Sequence, residues 1–408
     1  VGDMLGWLHQ ALASENELMN ALFAAPEETQ QGDTSEAADN IEGEEPWDAR
    51  MILDRIFEGV CRPFKVRVEQ VLTTVPGGVG PGILLTFRLS SLLNFYLHTF
   101  SAFLPSNASL STTLKECVEL SSRTFFDVLK AKGEKLLRSP PNVGKDLAPP
   151  AACAACVHQL MELMETPDAS MLPPNHPDHL DFNPVIAAII DPLLEMCQNA
   201  SKTLAANPTE ELAGAADPGA AYTNAPTPAA KKTLEDMPSW AADVYMINCL
   251  AATQQPLSAY AMAGSKCDEM VEKMNGHLDA MVAQEASQVL TSVGLADKLA
   301  VMQAYSAGSS GGVQHTVMSA DPALSCTSVV TALNALFTKL SAADGGLPEF
   351  GPMQVPRMRN DAVTKLSTKL VEAYEFVYIA LMDPVNGYDN TKANVKHSPA
   401  QLRTICSL

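Results

Sequence analysis

The chain contains 408 residues, of which 47% are apolar and 18% charged, and its formal net charge is −20. This length allows about two or three domains with substantial cores, and the composition excludes wholesale disorder. The acidic balance argues against nucleic acid as the main partner and against simple adsorption to an anionic membrane, because both require concentrated lysine and arginine.

Apolar residues recur every three or four positions along most of the chain, a pattern typical of helices that bury one face. Two such predicted faces are Leu85, Leu89, Leu92, Tyr96, Phe100 and Phe103, and Val363, Leu366, Leu370, Tyr374, Val377 and Leu381. Alternating strand patterns are essentially absent. We therefore predict an all-α protein, an elongated rod of consecutive helical bundles without a sheet. The predicted helices span 3–24, 47–75, 83–104, 108–138, 151–166, 184–205, 238–262, 264–305, 322–343, 358–382 and 398–407.

Three segments interrupt this pattern. Residues 26–46 carry acidic side chains with no lysine or arginine, 206–236 are rich in alanine and proline, and 306–322 contain a glycine- and serine-rich stretch. All three offer few large apolar side chains to offset the entropy of ordering. We predict a disordered acidic insertion at 26–46 and flexible insertions at the other two.

Two proline pairs in the segment 139–150 mark the predicted domain boundary, since residues before proline disfavour helix. The sequence thus predicts one helical bundle over 1–140 and a C-terminal bundle over 141–408. Because the chain begins at Val1 rather than methionine, we expect it to be a fragment that lacks an N-terminal part.

No stretch approaches the ~18 consecutive apolar residues of a membrane-spanning helix. The first residues also lack the basic and apolar regions of a signal peptide. Nine cysteines, an odd number without dense spacing, favour reduced thiols in the cytosol over a disulfide framework. We expect a soluble, cytosolic chain.

Cys153 and Cys156 form a lone C-x-x-C motif with His158 nearby. A zinc site would need further ligands, and a thioredoxin-like site would need a preceding strand. On an alanine-rich helix, both sulfurs fall on the apolar face beside Val157 and Leu160. We interpret them as buried structural thiols, since free cysteine packs as a small apolar residue.

His176, Asp178, His179 and Asp181 cluster in a proline-rich loop and are the best place for an unrecognised enzyme site. Helical H-x-x-x-H spacing and a glutamate base are missing, so a solvated loop is the favoured interpretation. No other nucleophile, base or paired-carboxylate pattern emerges. We predict no catalytic, cofactor-binding or metal-binding residue, and a protein that is not an enzyme.

Arg62, Lys65 and Arg67 form a basic strip along one side of the second predicted helix. On so acidic a chain, such a strip is a candidate site for steering an acidic partner. The competing interpretation is that these side chains pair with Glu58 and Glu69 of the same protein. A second basic group closes the fourth helix and comprises Lys130, Lys132, Lys135 and Arg138.

Several blocks in order along the chain resemble the C-terminal part of subunit six of the conserved oligomeric Golgi complex, a helical-rod tethering family. None of the blocks is a catalytic motif. They are Val1–Ala11, Glu58–Gln70, Leu92–Thr99, Asp191–Cys197, His277–Thr291, Ala373–Tyr388 and Ser398–Leu402.

This resemblance implies a non-enzymatic subunit of a vesicle-tethering complex in intra-Golgi retrograde transport and Golgi organisation. The implied partners are sister subunits, SNAREs, Rab GTPases and golgin coiled coils. From the charge and the motifs we expect no nucleic-acid partner and no cofactor. The implied location is the cytoplasmic face of Golgi membranes, peripherally bound through the complex. A generic cytosolic helical adaptor outside trafficking, or an enzyme with an unrecognised site, remains the alternative.

Overall fold

The computed structural model describes residues 1–23, 49–73, 82–166, 181–205, 238–308, 317–342, 347–388 and 395–406. Over these residues the backbone is helical with short connections, and it contains no strand. The predicted all-α fold class is confirmed. The helices are α1 Gly2–Phe23, α2 Ala49–Thr73, α3 Ile83–Phe100, α4 Ser109–Leu137, α5 Ala151–Met164, α6 Asn183–Ala205, α7 Ala241–Leu257, α8 Gly264–Ser292, α9 Ala296–Gly308, α10 Cys326–Leu340, α11 Pro356–Met382 and α12 Pro399–Ile405.

The chain divides into two compact units. The first contains Val1–Arg138 and Cys156–Pro192, and the second contains Ser139–Ala155 and Leu193–Leu408. The first change of unit follows Arg138, and the first unit also takes in Cys156–Pro192. The predicted bundles 1–140 and 141–408, and their independent folding, stay a prediction.

The first unit is built on α1, α2, α3 and α4. Their inward faces supply leucines and aromatic rings at helical spacing, and the ring of Phe87 packs against those of Phe125 and Phe182 at centroid distances of 5.6 and 6.0 Å. The fully buried residues include Leu5, Leu8, Leu12, Leu53, Phe64, Leu93, Leu110 and Leu114.

In α3 the buried face only partly matches the predicted one. Leu89 and Phe100 of the predicted face are buried, but Leu85 is 48% exposed, and Phe87 and Leu93 beside that face are buried as well. Apolar residues surround this helix, so spacing alone does not identify the side that meets its neighbours.

In the second unit α7, α8 and α11 supply most of the core. Helix α7 is apolar on nearly all sides, and most of its residues are buried. Helix α11 follows the predicted face closely, with Leu366, Leu370, Tyr374 and Val377 all buried. A single apolar stripe on an otherwise polar helix made this face predictable.

The predicted helix 264–305 was wrong, since the chain forms two helices there. Helix α8 ends at Ser292, and Gly294 adopts a left-handed backbone with φ of 69°. The Gly294 amide donates to the Thr291 carbonyl at 2.9 Å, and the Leu295 amide donates to the Leu290 carbonyl at 2.9 Å. These two bonds define a Schellman cap, which satisfies the last carbonyls of the helix.

Replacing Gly294 with alanine is expected to lower the free energy of unfolding by about 1 kcal/mol, because an L side chain disfavours this φ. A Cβ here would have no neighbour within 4 Å, so the effect isolates backbone strain. Chemical denaturation measures it. Gly294→Asn serves as the control and should cost less, because asparagine tolerates the left-handed region better. An alanine variant as stable as the parent would contradict the capping role.

The predicted insertions 26–46 and 206–236 lie outside the described residues. The predicted insertion 306–322 lies partly outside them, and its flexibility stays a prediction. Met318–Ala320 form a 3₁₀ turn, and the side chain of Met318 is buried. A single methionine among small residues does not predict a buried position from sequence, although Met318 is buried here.

Candidate partner-docking surface

The basic strip lies on α2, on the side away from the core of the first unit. The buried side of this helix includes Phe57, Phe64 and Val68. Successive helical residues are separated by about 100°, so Arg62 and Arg67 fall on other sides of the helix. Arg62 and Arg67 are exposed, and Lys65 is partly exposed.

Lys65 is already engaged within the protein. Its Nζ lies 2.7 Å from Oε2 of Glu116 on α4, and this hydrogen bond raises the pKa of Lys65. Glu58 and Glu69 are the competing partners expected from the sequence, whereas the observed partner lies 51 residues away. Local spacing gives no signal for such a pair.

Arg62 and Arg67 have no carboxylate partner among the described residues. Arg67 donates from Nη1 to the Gln70 side-chain oxygen at 3.4 Å, a long contact. Glu58 is taken by Arg55, whose Nη1 lies 2.9 Å from its carboxylate. Within the strip, the two arginines without a carboxylate partner among the described residues are thus Arg62 and Arg67, and partner contact by the strip stays a prediction.

The second basic group is also partly engaged. The Lys132 ammonium donates to the Gln159 side chain on α5, and Arg138 lies 3.3 Å from Glu134, one turn earlier. Lys130 and Lys135 are exposed. They provide a charge-matched comparison for Arg62 and Arg67 within the same unit.

The structure describes only part of the His176–Asp181 loop and all of the C-x-x-C motif. His176 and His179 lie outside the described residues. Asp181 accepts a hydrogen bond from the Asn183 amide at 2.9 Å, at the start of α6. Cys153 and Cys156 are each 1% exposed, as expected for packed thiols.

Sequence reasoning missed the surroundings of Cys153. Its sulfur lies 4.0 Å from that of Cys197 on α6, and Cys249 on α7 completes a group of three. Hydrogen bonding within the group, mainly with Cys197, lowers the pKa of Cys153. Burial raises the pKa of the nearby Tyr245 phenol, and the thiols of Cys249 and Cys197 raise it further.

One open groove of about 630 Å³ is lined by α8, α9 and α11. Alanine is the commonest residue in its lining, and its charged side chains are Lys369 and Glu372. Neither a histidine nor a cysteine is among the residues that line this groove. Within the described ranges, no helix combines the length and the apolar character needed to cross a membrane.

Solved structures define the fold class. S. cerevisiae Exo70 matches 99% of this chain and 69% of its own with a TM-score of 0.57 and 12% sequence identity. A second structure, of exocyst subunit Exo70p, matches 99% of this chain and 70% of its own with a TM-score of 0.56 and 11% identity. At this identity the likeness shows an Exo70-like helical fold and nothing about partners.

Sequence relatives give the family. The family described as Conserved Oligomeric Golgi complex subunit 6, C-terminal, matches residues 1–406. The Arabidopsis thaliana subunit 6 is 35% identical over all of this chain and 59% of its own length. The Bos taurus and Homo sapiens subunits are each 30% identical over all of this chain and 53% of theirs. The chain belongs to the conserved oligomeric Golgi complex subunit 6 family and spans somewhat more than half the length of these relatives.

Proposed function

We propose that this chain acts as a non-enzymatic part of a vesicle-tethering complex in intra-Golgi retrograde transport and Golgi organisation. The observation that supports this most is the family match over residues 1–406. Its location is the cytoplasmic face of Golgi membranes, where it is held peripherally through the complex.

The mechanism is spatial and not catalytic. A subunit that binds its sister subunits at one surface and a vesicle-bound protein at another keeps the two membranes close. Holding the partners together raises their effective concentration and speeds later steps without a new contact between them. Amphipathic helices suit this role, because exposed helical faces bind other helices and coiled coils. The proposed further partners are SNAREs, Rab GTPases and golgins.

Replacement in cells tests this function. In cells that lack their own subunit 6, a full-length subunit carrying this chain as its matching region should restore Golgi glycosylation, measured by lectin binding at the cell surface. It should also recover its sister subunits in a detergent-free purification. A subunit that is stable yet recovers no sister subunit would favour a generic helical adaptor. A purified chain that turns over a substrate would favour an enzyme.

Arg62 and Arg67 are proposed as the docking contacts for an acidic coiled-coil partner, with Lys65 contributing through its positive charge. The charge contrast with a −20 chain supports this assignment. Paired as it is with Glu116, Lys65 is left unchanged in the test, since its reversal would also disturb the packing of α2 against α4.

The double variant Arg62→Glu/Arg67→Glu is expected to weaken binding of the co-purifying coiled coil roughly 5- to 30-fold, as about 1–2 kcal/mol is lost at two exposed reversed charges. The salt dependence of binding should fall as well. Lys130→Glu/Lys135→Glu is the matched control, with the same charge change on α4. Equal weakening by both pairs, or none by the first, would contradict a specific docking site.

A further inference from the structure

Three cysteines that are far apart in sequence meet in the core of the second unit. Cys153, Cys197 and Cys249 come from α5, α6 and α7, and each is at most 1% exposed. Their three sulfur atoms all lie within 4.8 Å of one another. Three separate helices therefore direct their thiols to one point that is shielded from water.

A buried phenol lies next to these thiols. The hydroxyl of Tyr245 is fully enclosed and has no oxygen or nitrogen partner among the described residues, and its polar neighbours are the thiols of Cys249 and Cys197. Tyr245 precedes Cys249 by four residues on α7, which places both on the same face of the helix. A neutral thiol is a weak acceptor for the phenol proton of Tyr245. A thiolate is a much stronger acceptor and would satisfy this hydroxyl.

The spacing suits one thiophilic ion. A zinc–sulfur bond is about 2.3 Å long, so sulfurs that share one zinc ion lie roughly 3.8–4.0 Å apart. The sulfurs of Cys153 and Cys197 are 4.0 Å apart before any adjustment. Hard cations such as magnesium and calcium are excluded, because they require oxygen ligands.

We propose that Cys153, Cys197 and Cys249 bind one Zn²⁺ ion through their sulfurs, with the Tyr245 hydroxyl donating a hydrogen bond to the bound thiolates. Binding replaces three S–H bonds by three Zn–S bonds and releases three protons to solvent. Three thiolates and one Zn²⁺ carry a net charge of −1. The phenol O–H of Tyr245 would stabilise that charge. The ion would link α5, α6 and α7, a structural role that the lone C-x-x-C motif did not indicate.

Metal analysis of the full-length subunit tests the site. After purification in reductant without chelators, mass spectrometry should find one zinc per chain. Cobalt exchanged into the site should give the near-ultraviolet sulfur-to-cobalt absorption of a thiolate ligand set. A wild-type subunit that contains no zinc and shows no such band would overturn the proposal, as would copper in place of zinc or a disulfide within the group.

Variants separate metal binding from packing. Cys249→Ala should reduce the zinc content at least tenfold, whereas Cys267→Ala, a buried cysteine of α8 outside the group, should retain it. A chelator should lower the melting temperature of the wild type by several degrees and leave that of Cys249→Ala unchanged. If Cys249→Ala does not fold, the chelator response of the wild type and of Cys267→Ala still decides. Equal zinc content in foldable Cys249→Ala and wild type would overturn the site.

Discussion

Replacing Asn248 with leucine is expected to lower the free energy of unfolding of the second unit by about 3–4 kcal/mol. The Asn248 side chain is 1% exposed. Its Nδ2 donates to the Leu147 carbonyl at 2.9 Å and to the Pro352 carbonyl at 3.0 Å. Its Oδ1 accepts from the Gln354 amide at 2.8 Å. One side chain on α7 thus satisfies backbone groups in two separate loops.

These two loops need such support. Leu147 and Phe350 have positive φ values of 50° and 49°, which are unfavourable for residues with bulky side chains. Both side chains are 1% exposed, so packing and the Asn248 bonds together hold the backbone there. A leucine at 248 would leave two carbonyls and one amide without their partner and would release the constraint on both strained residues.

Peptide-level hydrogen exchange in a denaturant series measures the free energy of unfolding of the second unit. Asn248→Asp separates bonding from volume, because it keeps the acceptor and the shape but removes both donors; we expect it to destabilise as well. The matched control is Asn334→Leu on α10, a partly buried residue whose amide oxygen is enclosed and has no partner among the described residues. It should change stability by less than about 1 kcal/mol. Similar losses for Asn248→Leu and Asn334→Leu would contradict the network.

Replacing Gly133 with leucine is expected to destabilise the first unit by about 3 kcal/mol. Gly133 is buried on α4, and a Cβ there would lie 2.9 Å from Cγ and 3.1 Å from Cβ of Pro192. The proline ring lies inside α6 and is held by its own backbone, so it has little freedom to move away. The close approach of these two helices requires glycine.

Gly59→Leu provides the matched control in the same unit. Gly59 is exposed on α2, and a Cβ there would meet nothing within 4 Å. Leucine should stabilise α2 by about 0.5–1 kcal/mol through its higher helix propensity. Chemical denaturation of both variants, followed by hydrogen exchange in α4 and α2, gives the comparison. A Gly133→Leu variant as stable as the parent would show that α4 and α6 separate more easily than their contact indicates.

The sequence predicted the elements well where a helix has one apolar stripe. The face of α11 around Leu370 and Tyr374 follows directly from spacing. The α3 face was harder, since apolar residues such as Leu85 also lie on the exposed side. The end of α8 depends on the left-handed conformation of Gly294, and one glycine in a long apolar pattern is an ambiguous signal.

The candidate sites depend on partners that are distant in sequence. The C-x-x-C motif drew attention to Cys153 and Cys156, yet Cys153 meets Cys197, 44 residues away. Asn248 reaches Leu147 across 101 residues. Such groups come together only when helices pack, and a single sequence contains no pattern at these separations. Charge spacing identified the basic strip, but it could not indicate that Glu116 engages Lys65.

Cross-linking mass spectrometry of the intact complex tests the central claim most directly. A full-length subunit carrying this chain would be purified without detergent, treated with a lysine-reactive reagent, and compared with the Arg62→Glu/Arg67→Glu variant. We predict sister subunits in stoichiometric amounts, and cross-links from Lys65 to an acidic coiled coil that the variant loses while its sister subunits remain. A folded subunit that purifies alone, with no cross-link to any sister subunit, would contradict the assignment of this chain to a tethering complex.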